Sequence, residues 1–278
     1  MKIIVESGAT KSQWTVIGDD GAVRLSKRFR GINFSTMPAD EIRSLFSGAL
    51  SELGAERAEG FYLYSAGLVP SELEKELKKH LHDSVEVGTV EFNDDLTAAA
   101  RALFGREKGI VAILGTGSNC CYYDGSTLES RVRSGGFILG DEGSGAVLGK
   151  LFVSDYLKGL VPERAAKEFE ARYDASYMAI VQNVYRSAAP SAWLGSLAPF
   201  ILSFYDSEPY VAKLVDSNFK SFIDRVLSRY DTASLPLGVT GSFGCACSAI
   251  FSRLCAEAGI QVAKYMPDPT EGLLEYHR

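Results

Sequence analysis

The sequence predicts an α/β protein of two like domains with a cleft between them. Three observations predict it. An order of strand, Gly/hydroxyl turn, strand, Asp-Gly turn and strand runs through residues 2–30 and recurs at 109–133. Helix-spaced apolar residues fill the chain between and after these blocks. With 278 residues, there is enough chain for two cores rather than one.

Taken in order, Lys2–Val5 and Gln13–Ile17 are short β-rich runs, Asp19-Asp20-Gly21 is a hairpin signal, and Val23–Arg30 alternates with period two. Pro38–Leu53 carries Ile42, Leu45, Phe46, Ala49, Leu50 and Leu53 at helical spacing. Phe61–Ala66 reads as a strand, and Ser71-x-x-Glu74 as a capping box opening a helix through His80. A strand around Val85–Phe92 leads into a helix at Asp94–Phe104.

The pattern then restarts. Gly109–Leu114 is a strand, Gly115–Asn119 a Gly/hydroxyl turn, Cys120–Tyr123 a strand, Asp124-Gly125 a turn and Thr127–Arg133 a third strand. Helical spacing follows over Ser144–Leu157, Glu163–Tyr173, Tyr177–Ser187 and Glu208–Tyr230. Trp193, Phe200, Phe204 and Tyr205 lie between these helices as core aromatics. A late strand at Leu237–Thr240 meets Gly241-Ser242-Phe243-Gly244 and a helix to about Glu257. Domains over 1–107 and 108–278 result, the second with a helical insertion at about 160–232, and the last residues are free to return to the first.

Charge narrows the function. Acidic residues outnumber basic ones, 35 to 29, and RLSKRFR at 24–30 alternates like an exposed strand face. Sequence-independent nucleic-acid binding needs a basic surface and is not expected. No run suits a signal peptide or a membrane span, so a cytoplasmic protein is expected. The five cysteines lack CxxC spacing and read as buried thiols in a reducing compartment.

VESGATKS at 5–12 ends a strand in a carboxylate and continues with glycine and hydroxyls. Gly115-Thr116-Gly117-Ser118-Asn119 occupies the same place in the second copy. Backbone N–H groups freed by glycine, with Thr and Ser hydroxyls, can wrap phosphate oxygens. A plain hairpin explains either turn alone; their repetition favours a pair of phosphate clamps. Asn93-Asp94-Asp95 lies where a strand gives way to a helix. One residue suffices for an N-cap, which leaves a carboxylate for chemistry. Asp141 and Glu142 share that ambiguity. Gly241–Gly244 suits a nucleoside that must approach the backbone closely. Near misses to a Walker loop and a GxGxxG motif around 143–150 carry no weight, since Ser144 and Leu151 break the former.

ESGATKS, AGL at 66–68, NDD at 93–95, ILGTGSN at 113–119 and GGFILGDEGSG at 135–145 follow in the order of the N-acetylglucosamine kinase family. The chain resembles that family, which sits with the BadF-type ATPases among the hexokinase, actin and Hsp70 folds. The resemblance returns at Thr240–Gly244. It implies a duplicated ribonuclease-H-like fold that binds ATP and Mg2+. It places ATP phosphates on Gly8, Ala9, Thr10, Lys11 and Ser12 and on Gly115, Thr116, Gly117 and Ser118. Adenosine falls at Gly241, Ser242, Phe243 and Gly244, and sugar hydroxyls at Asn33, Asp94, Gly136 and Asp141. Asp94 matches the catalytic base, and Glu6 the magnesium-associated acid, acting through water. Animal members carry a longer segment, with Trp and His, where only Phe137-Ile138-Leu139 stands here, which leaves the sugar open.

The expectation is an ATP-dependent kinase that phosphorylates a hydroxyl of an amino sugar, N-acetylglucosamine or glucosamine, with a homodimer admitted. Two other classes stay open. One is an ATPase that activates a partner enzyme through an iron–sulfur cluster, for which Cys245 and Cys247 offer no convincing site. The other is a non-catalytic sugar or nucleotide sensor.

Overall fold

The computed structural model describes residues 1–8, 11–34, 37–65, 67 and 69–278. The chain divides into two compact units, Met1–Arg106 with Pro269–Arg278, and Glu107–Asp268. In the first, β1 (Lys2–Ser7), β2 (Lys11–Ile17) and β3 (Val23–Arg30) form an antiparallel meander. On its other side β4 (Arg57–Ser65) pairs with β1 and β5 (Glu86–Asp94) with β4, both in parallel. Parallel neighbours need crossover connections rather than tight turns. The helices α1 (Ala39–Leu53) and α2 (Ser71–Ser84) supply them. Their apolar stripes, among them Ile42, Phe46, Leu50, Leu73, Leu77 and Leu81, bury against Ile3, Val5, Trp14, Phe61 and Leu63. The next helix, α3 (Asp95–Phe104), follows β5 directly.

The second unit repeats this sheet. β6 (Gly109–Leu114), β7 (Ser118–Tyr123) and β8 (Leu128–Glu129) are antiparallel neighbours. β9 (Leu237–Thr240) lies parallel to β6, and β10 (Val262–Met266) parallel to β9. Strand orders β3-β2-β1-β4-β5 and β8-β7-β6-β9-β10 therefore match position for position. The repeat read in the sequence is a repeat of topology. Where α1 stands in the first copy, the second holds α4 (Gly136–Leu139), α5 (Gly145–Tyr156), α6 (Glu163–Arg172), α7 (Tyr177–Val181), α8 (Pro190–Ser196), α9 (Ala198–Leu202) and α10 (Pro209–Arg225). They close on an aromatic cluster of Phe152, Phe169, Phe200 and Phe204, ring centres 5.3–5.8 Å apart. The pair α11 (Ser242–Ala246) and α12 (Ser248–Glu257) joins β9 to β10, and α13 (Thr270–His277) ends the chain within the first unit.

Several local expectations are corrected. The Ser71-x-x-Glu74 capping box does not form: the Pro70 carbonyl receives the Glu74 N–H, so Ser71 already lies inside α2. That helix also runs beyond His80 to Ser84. The strand expected over Thr127–Arg133 shrinks to β8, because the Arg131 N–H goes to the Tyr230 hydroxyl rather than to β7. Tyr177–Ser187 is α-helical only to Val181 and widens to a π-helix over Gln182–Arg186. The helix expected to reach Tyr230 stops at Arg225, followed by a 3-10 turn at Leu227–Arg229. Residues 190–202 form α8 and α9, with Pro190 and Pro199 in first turns where their missing N–H costs nothing. β10 and α13 were not expected from the sequence. Among the described residues, no helix is long and apolar enough to cross a membrane.

Candidate active site

In open α/β sheets, ligands collect at the carboxyl ends of the parallel strands. In the first unit that edge is the row Ser7, Ser65 and Asp94, adjacent across β1, β4 and β5. One residue back stands the row Glu6, Tyr64 and Asn93. Asn33 is brought to the same edge by Ser7, whose Oγ accepts the Ile32 N–H at 2.8 Å and donates to the Ile32 carbonyl at 3.2 Å. Glu6, Gly8, Asn33 and Asp94 thus share one sheet edge. Ala9 and Thr10, and Ala66 and Leu68 of the AGL segment, lie outside the described residues.

Asp94 is the N-cap of α3. Its Oδ1 accepts from the Thr97 N–H at 2.8 Å and from the Thr97 hydroxyl at 2.6 Å, which fixes the carboxylate and leaves Oδ2 for other partners. Capping and chemistry therefore fall on one residue. Asp95, the first helical residue, keeps solvent-accessible surface. Even so, crowding by protein atoms and the neighbouring Asp94 charge push its carboxyl up to about 6.

The turn between β1 and β2 closes with the Gly8 N–H donating to the Lys11 carbonyl at 3.0 Å. Gly8 lies outside the left-handed region, and among the described residues a Cβ there would meet only the Lys11 carbonyl oxygen, at 3.7 Å, an ordinary contact. Lys11 is exposed. Ser12 is buried: its hydroxyl donates to the Arg30 carbonyl and accepts the Trp14 indole N–H, so only its backbone is offered outward.

In the second unit the Gly115–Gly117 turn sits at the end of β6 and is braced from behind. The Gly145 and Ala146 N–H groups, at the start of α5, donate to the carbonyls of Gly115 and Thr116 at 2.9 and 3.0 Å. Gly115, like Gly8, has no positive φ and an open Cβ direction. Thr116 is exposed, whereas the Ser118 hydroxyl is buried and donates to the Glu142 carbonyl at 2.7 Å. Asp141 folds over this turn, a Cβ on Gly117 standing 2.9 Å from its Oδ2. Its backbone lies in the left-handed region at φ 56, strain typical of functional positions. Burial raises its pKa, against the Ser118 N–H and Ser134 hydroxyl that donate to it. Gly136, with φ 65, has open space at its Cβ direction.

Gly241 and Gly244 pack against the same turn from β9. Gly241 has φ 114 and its Cβ would strike the Leu114 carbonyl, and a Cβ on Gly244 would stand 2.8 Å from the Leu114 Cβ. These two glycines are required by the fold. Phe243 is buried and stacks on Phe219 at 5.5 Å, so its ring is core, while Ser242 is exposed. Each unit thus gathers its own share of the expected residues at one sheet edge. Sequence reasoning missed Ser7, which holds the Asn33 segment, and Thr97, which fixes Asp94. The Asp94-x-x-Thr97 spacing was an available signal for the latter.

Among the described residues, no three metal-ligating side chains cluster. Mg2+ with a nucleotide does not require such a cluster, since phosphates and waters supply most ligands. Glu6, a half-buried carboxylate at a strand end, fits that minimal role. All five cysteines are free thiols, and four of them are buried.

The whole chain aligns with the crystal structure of a provisionally named N-acetylglucosamine kinase from Porphyromonas gingivalis, covering 98% of that chain at 34% identity and a TM-score of 0.89. A second provisionally named N-acetylglucosamine kinase, from Chromobacterium violaceum, aligns over 100% of this chain and 98% of its own at 17% identity and TM-score 0.75. A ROK family glucokinase from Streptomyces griseus, solved with glucose and AMPPNP, aligns over 99% and 97% at 15% identity and TM-score 0.57. The last two share the fold. No family model and no curated protein matches the sequence.

Proposed function

The chain belongs to the N-acetylglucosamine kinase family, and on that premise we propose that it is an ATP-dependent sugar kinase acting on a hydroxyl of an amino sugar, N-acetylglucosamine or glucosamine. One observation carries this reading. Both copies of the fold place a glycine, Gly8 and Gly115, at the end of the first strand without a positive φ and, among the described residues, with no atom closer than 3.7 Å to a Cβ there. A glycine in such an open position suits a place where something must come close, and phosphate oxygens on backbone N–H groups are the fitting chemistry.

A sugar hydroxyl is a weak nucleophile, and the γ-phosphoryl group is shielded by its own charge, so positioning and charge neutralisation do most of the work. Backbone N–H groups of both turns, the Lys11 ammonium and the Thr116 hydroxyl hold phosphate oxygens. Glu6 would hold Mg2+ through water, and the ion when bound would supply positive charge against the phosphates. Asn33, Gly136 and Asp141 orient the sugar. Asp94 accepts the hydroxyl proton on Oδ2 while Oδ1 stays on Thr97, so the base is held in one rotamer. Ser242 and the Gly241–Gly244 backbone line the adenosine.

ADP release with magnesium-ATP, measured across glucosamine, N-acetylglucosamine, glucose and a no-sugar control, tests the reading. Release is expected to depend on an amino sugar. Equal release with and without every sugar would overturn it.

A further inference from the structure

The last helix, α13, follows the last strand of the second unit in sequence yet belongs to the first, where its Leu273 and His277 are buried. Gly272 makes this possible, approaching Ala102 of α3 so closely that a Cβ would stand 2.5 Å from the Ala102 carbonyl oxygen. At its end lies His277, 6% exposed, its ring 4.0 Å from that of Tyr62. The His277 Nε2 meets the Tyr64 hydroxyl at 2.7 Å. Arg101, on α3, donates through Nη1 to the same hydroxyl and to Glu91 Oε2, each at 2.7 Å. Asn93 Nδ2 reaches the same Glu91 oxygen at 3.4 Å.

The direction of each bond follows from chemistry. Guanidinium only donates, so the Tyr64 hydroxyl accepts from Arg101 and gives its own proton to His277 Nε2. Burial, with the Arg101 charge nearby, lowers His277 to about 4, which keeps the ring neutral and Nε2 an acceptor. One hydroxyl thus joins α13 to α3. The same guanidinium ties α3 to β5 at Glu91, three residues before Asp94. Tyr64 itself stands between Glu6 and Asn93 in the strand row described above.

We propose that Tyr64, Arg101 and His277 are positioning residues for the proposed base: docking of α13 sets α3 against β4 and β5, and with it the Asp94 carboxylate at the helix start. This rests on the kinase reading for its link to turnover, but not for its geometry. A hydrophobic contact could anchor α13 equally well; a buried chain of directed hydrogen bonds fixes angle and register as well. Displacements of this kind far from the chemistry can cost a large factor in rate.

Tyr64→Phe removes the joining hydroxyl and keeps the ring. Two readouts are taken on the full chain, well below its melting temperature. The first is hydrogen exchange at the Thr97 amide, which is bonded to Asp94 Oδ1. It is expected to speed up at least about tenfold while Val5 and Leu63 amides in the sheet core keep their protection. The second is sugar-dependent turnover, with kcat expected to fall about tenfold and the sugar KM to stay within about twofold. His277→Gln, which keeps an acceptor, should retain most of both properties, and His277→Leu should lose them. Unchanged Thr97 exchange in both Tyr64→Phe and His277→Leu would overturn the proposal, as would altered exchange with unchanged kcat. If the wild-type protein shows no sugar-dependent turnover, the kinase reading falls, and the exchange data still judge the geometry.

Discussion

The two sheet edges started from one plan and now carry different groups. Counting back from the last paired residues of each hairpin, Glu6-Ser7-Gly8 in the first copy corresponds to Ile113-Leu114-Gly115 in the second. Likewise Asp94 ends the fifth strand of one sheet, and Met266 that of the other. Acids stand where the second copy has apolar side chains. The second edge instead has α5 bonded behind its turn and Gly241 and Gly244 packed against the end of β6. The glycine of the turn and the buried serine after it are common to both. The two copies share that glycine and serine; where they differ, one carries acids at its edge and the other apolar side chains behind a braced turn.

That division gives its largest effect at Asp94. Asp94→Asn should cut turnover by on the order of 10²–10⁴, the usual share of a positioned base. Asn is also a good N-cap, so the bond from Thr97 survives and the melting temperature should barely move. A variant that keeps full turnover would place the chemistry elsewhere and end the idea of an acidic first edge.

Next come the shared glycines. Gly8→Ala and Gly115→Ala put a methyl no closer than 3.7 Å to any atom of the described residues, so neither should unfold the protein. Each is expected to raise the KM for ATP at least about tenfold, or roughly 1.4 kcal/mol of binding. Gly241→Ala should behave in the opposite way, destabilising the fold because of its φ of 114 and its contact with Leu114. Calorimetry alongside ATP kinetics on the three variants would separate ligand-facing from fold-required glycines. If Gly8→Ala lowered stability as much as Gly241→Ala, the two classes would merge.

The serines make the same point from the other side, and they show where sequence reading stops. Ser12 and Ser118 look like phosphate donors because each closes a turn that begins with glycine and carries hydroxyls, GATKS at 8–12 and GTGS at 115–118. Their actual partners, the carbonyls of Arg30 and Glu142, are 18 and 24 residues away, and no local pattern announces them. Turn chemistry and strand alternation are local, so the repeated meander and most helices were legible. Ser71 was misread because Pro70 is the better start, and α8 and α9, of seven and five residues, are too short to show a helical period. The edge strand β10 shows little burial alternation, and α13 is placed by contacts with α3. Ser12→Ala should cost about 1–3 kcal/mol by leaving the buried Trp14 indole N–H unpaired, and Ser118→Ala, which frees only a half-buried carbonyl, about 0.5–1.5 kcal/mol, both with little change in ATP affinity. Loss of ATP affinity without loss of stability would return these hydroxyls to the phosphates.

The smallest effect separates Asp95 from Asp94. Crowding and the Asp94 charge hold the Asp95 carboxyl at about 6, against 3.8 for an ordinary aspartate. Between those values the folded protein binds more protons at this site than the unfolded chain does. Stability is therefore lost as pH rises through the window, and the penalty is complete above about 6. Placement at the helix start offsets part of it, since a negative charge there complements the dipole. Solvent access at Asp95 reduces it further. Asp95→Asn should then stabilise the protein at pH 8 by about 1 kcal/mol after those discounts. The gain should shrink as pH falls through about 6 and vanish near pH 3, below the ordinary aspartate value of 3.8, where the carboxyl is neutral both folded and unfolded, and turnover measured near neutral pH should stay near normal. Paired thermal melts of variant and wild type across that range decide the matter. A gain that does not depend on pH would mean the effect is one of packing, and a loss of turnover matching that of Asp94→Asn would make the two acids a single functional pair.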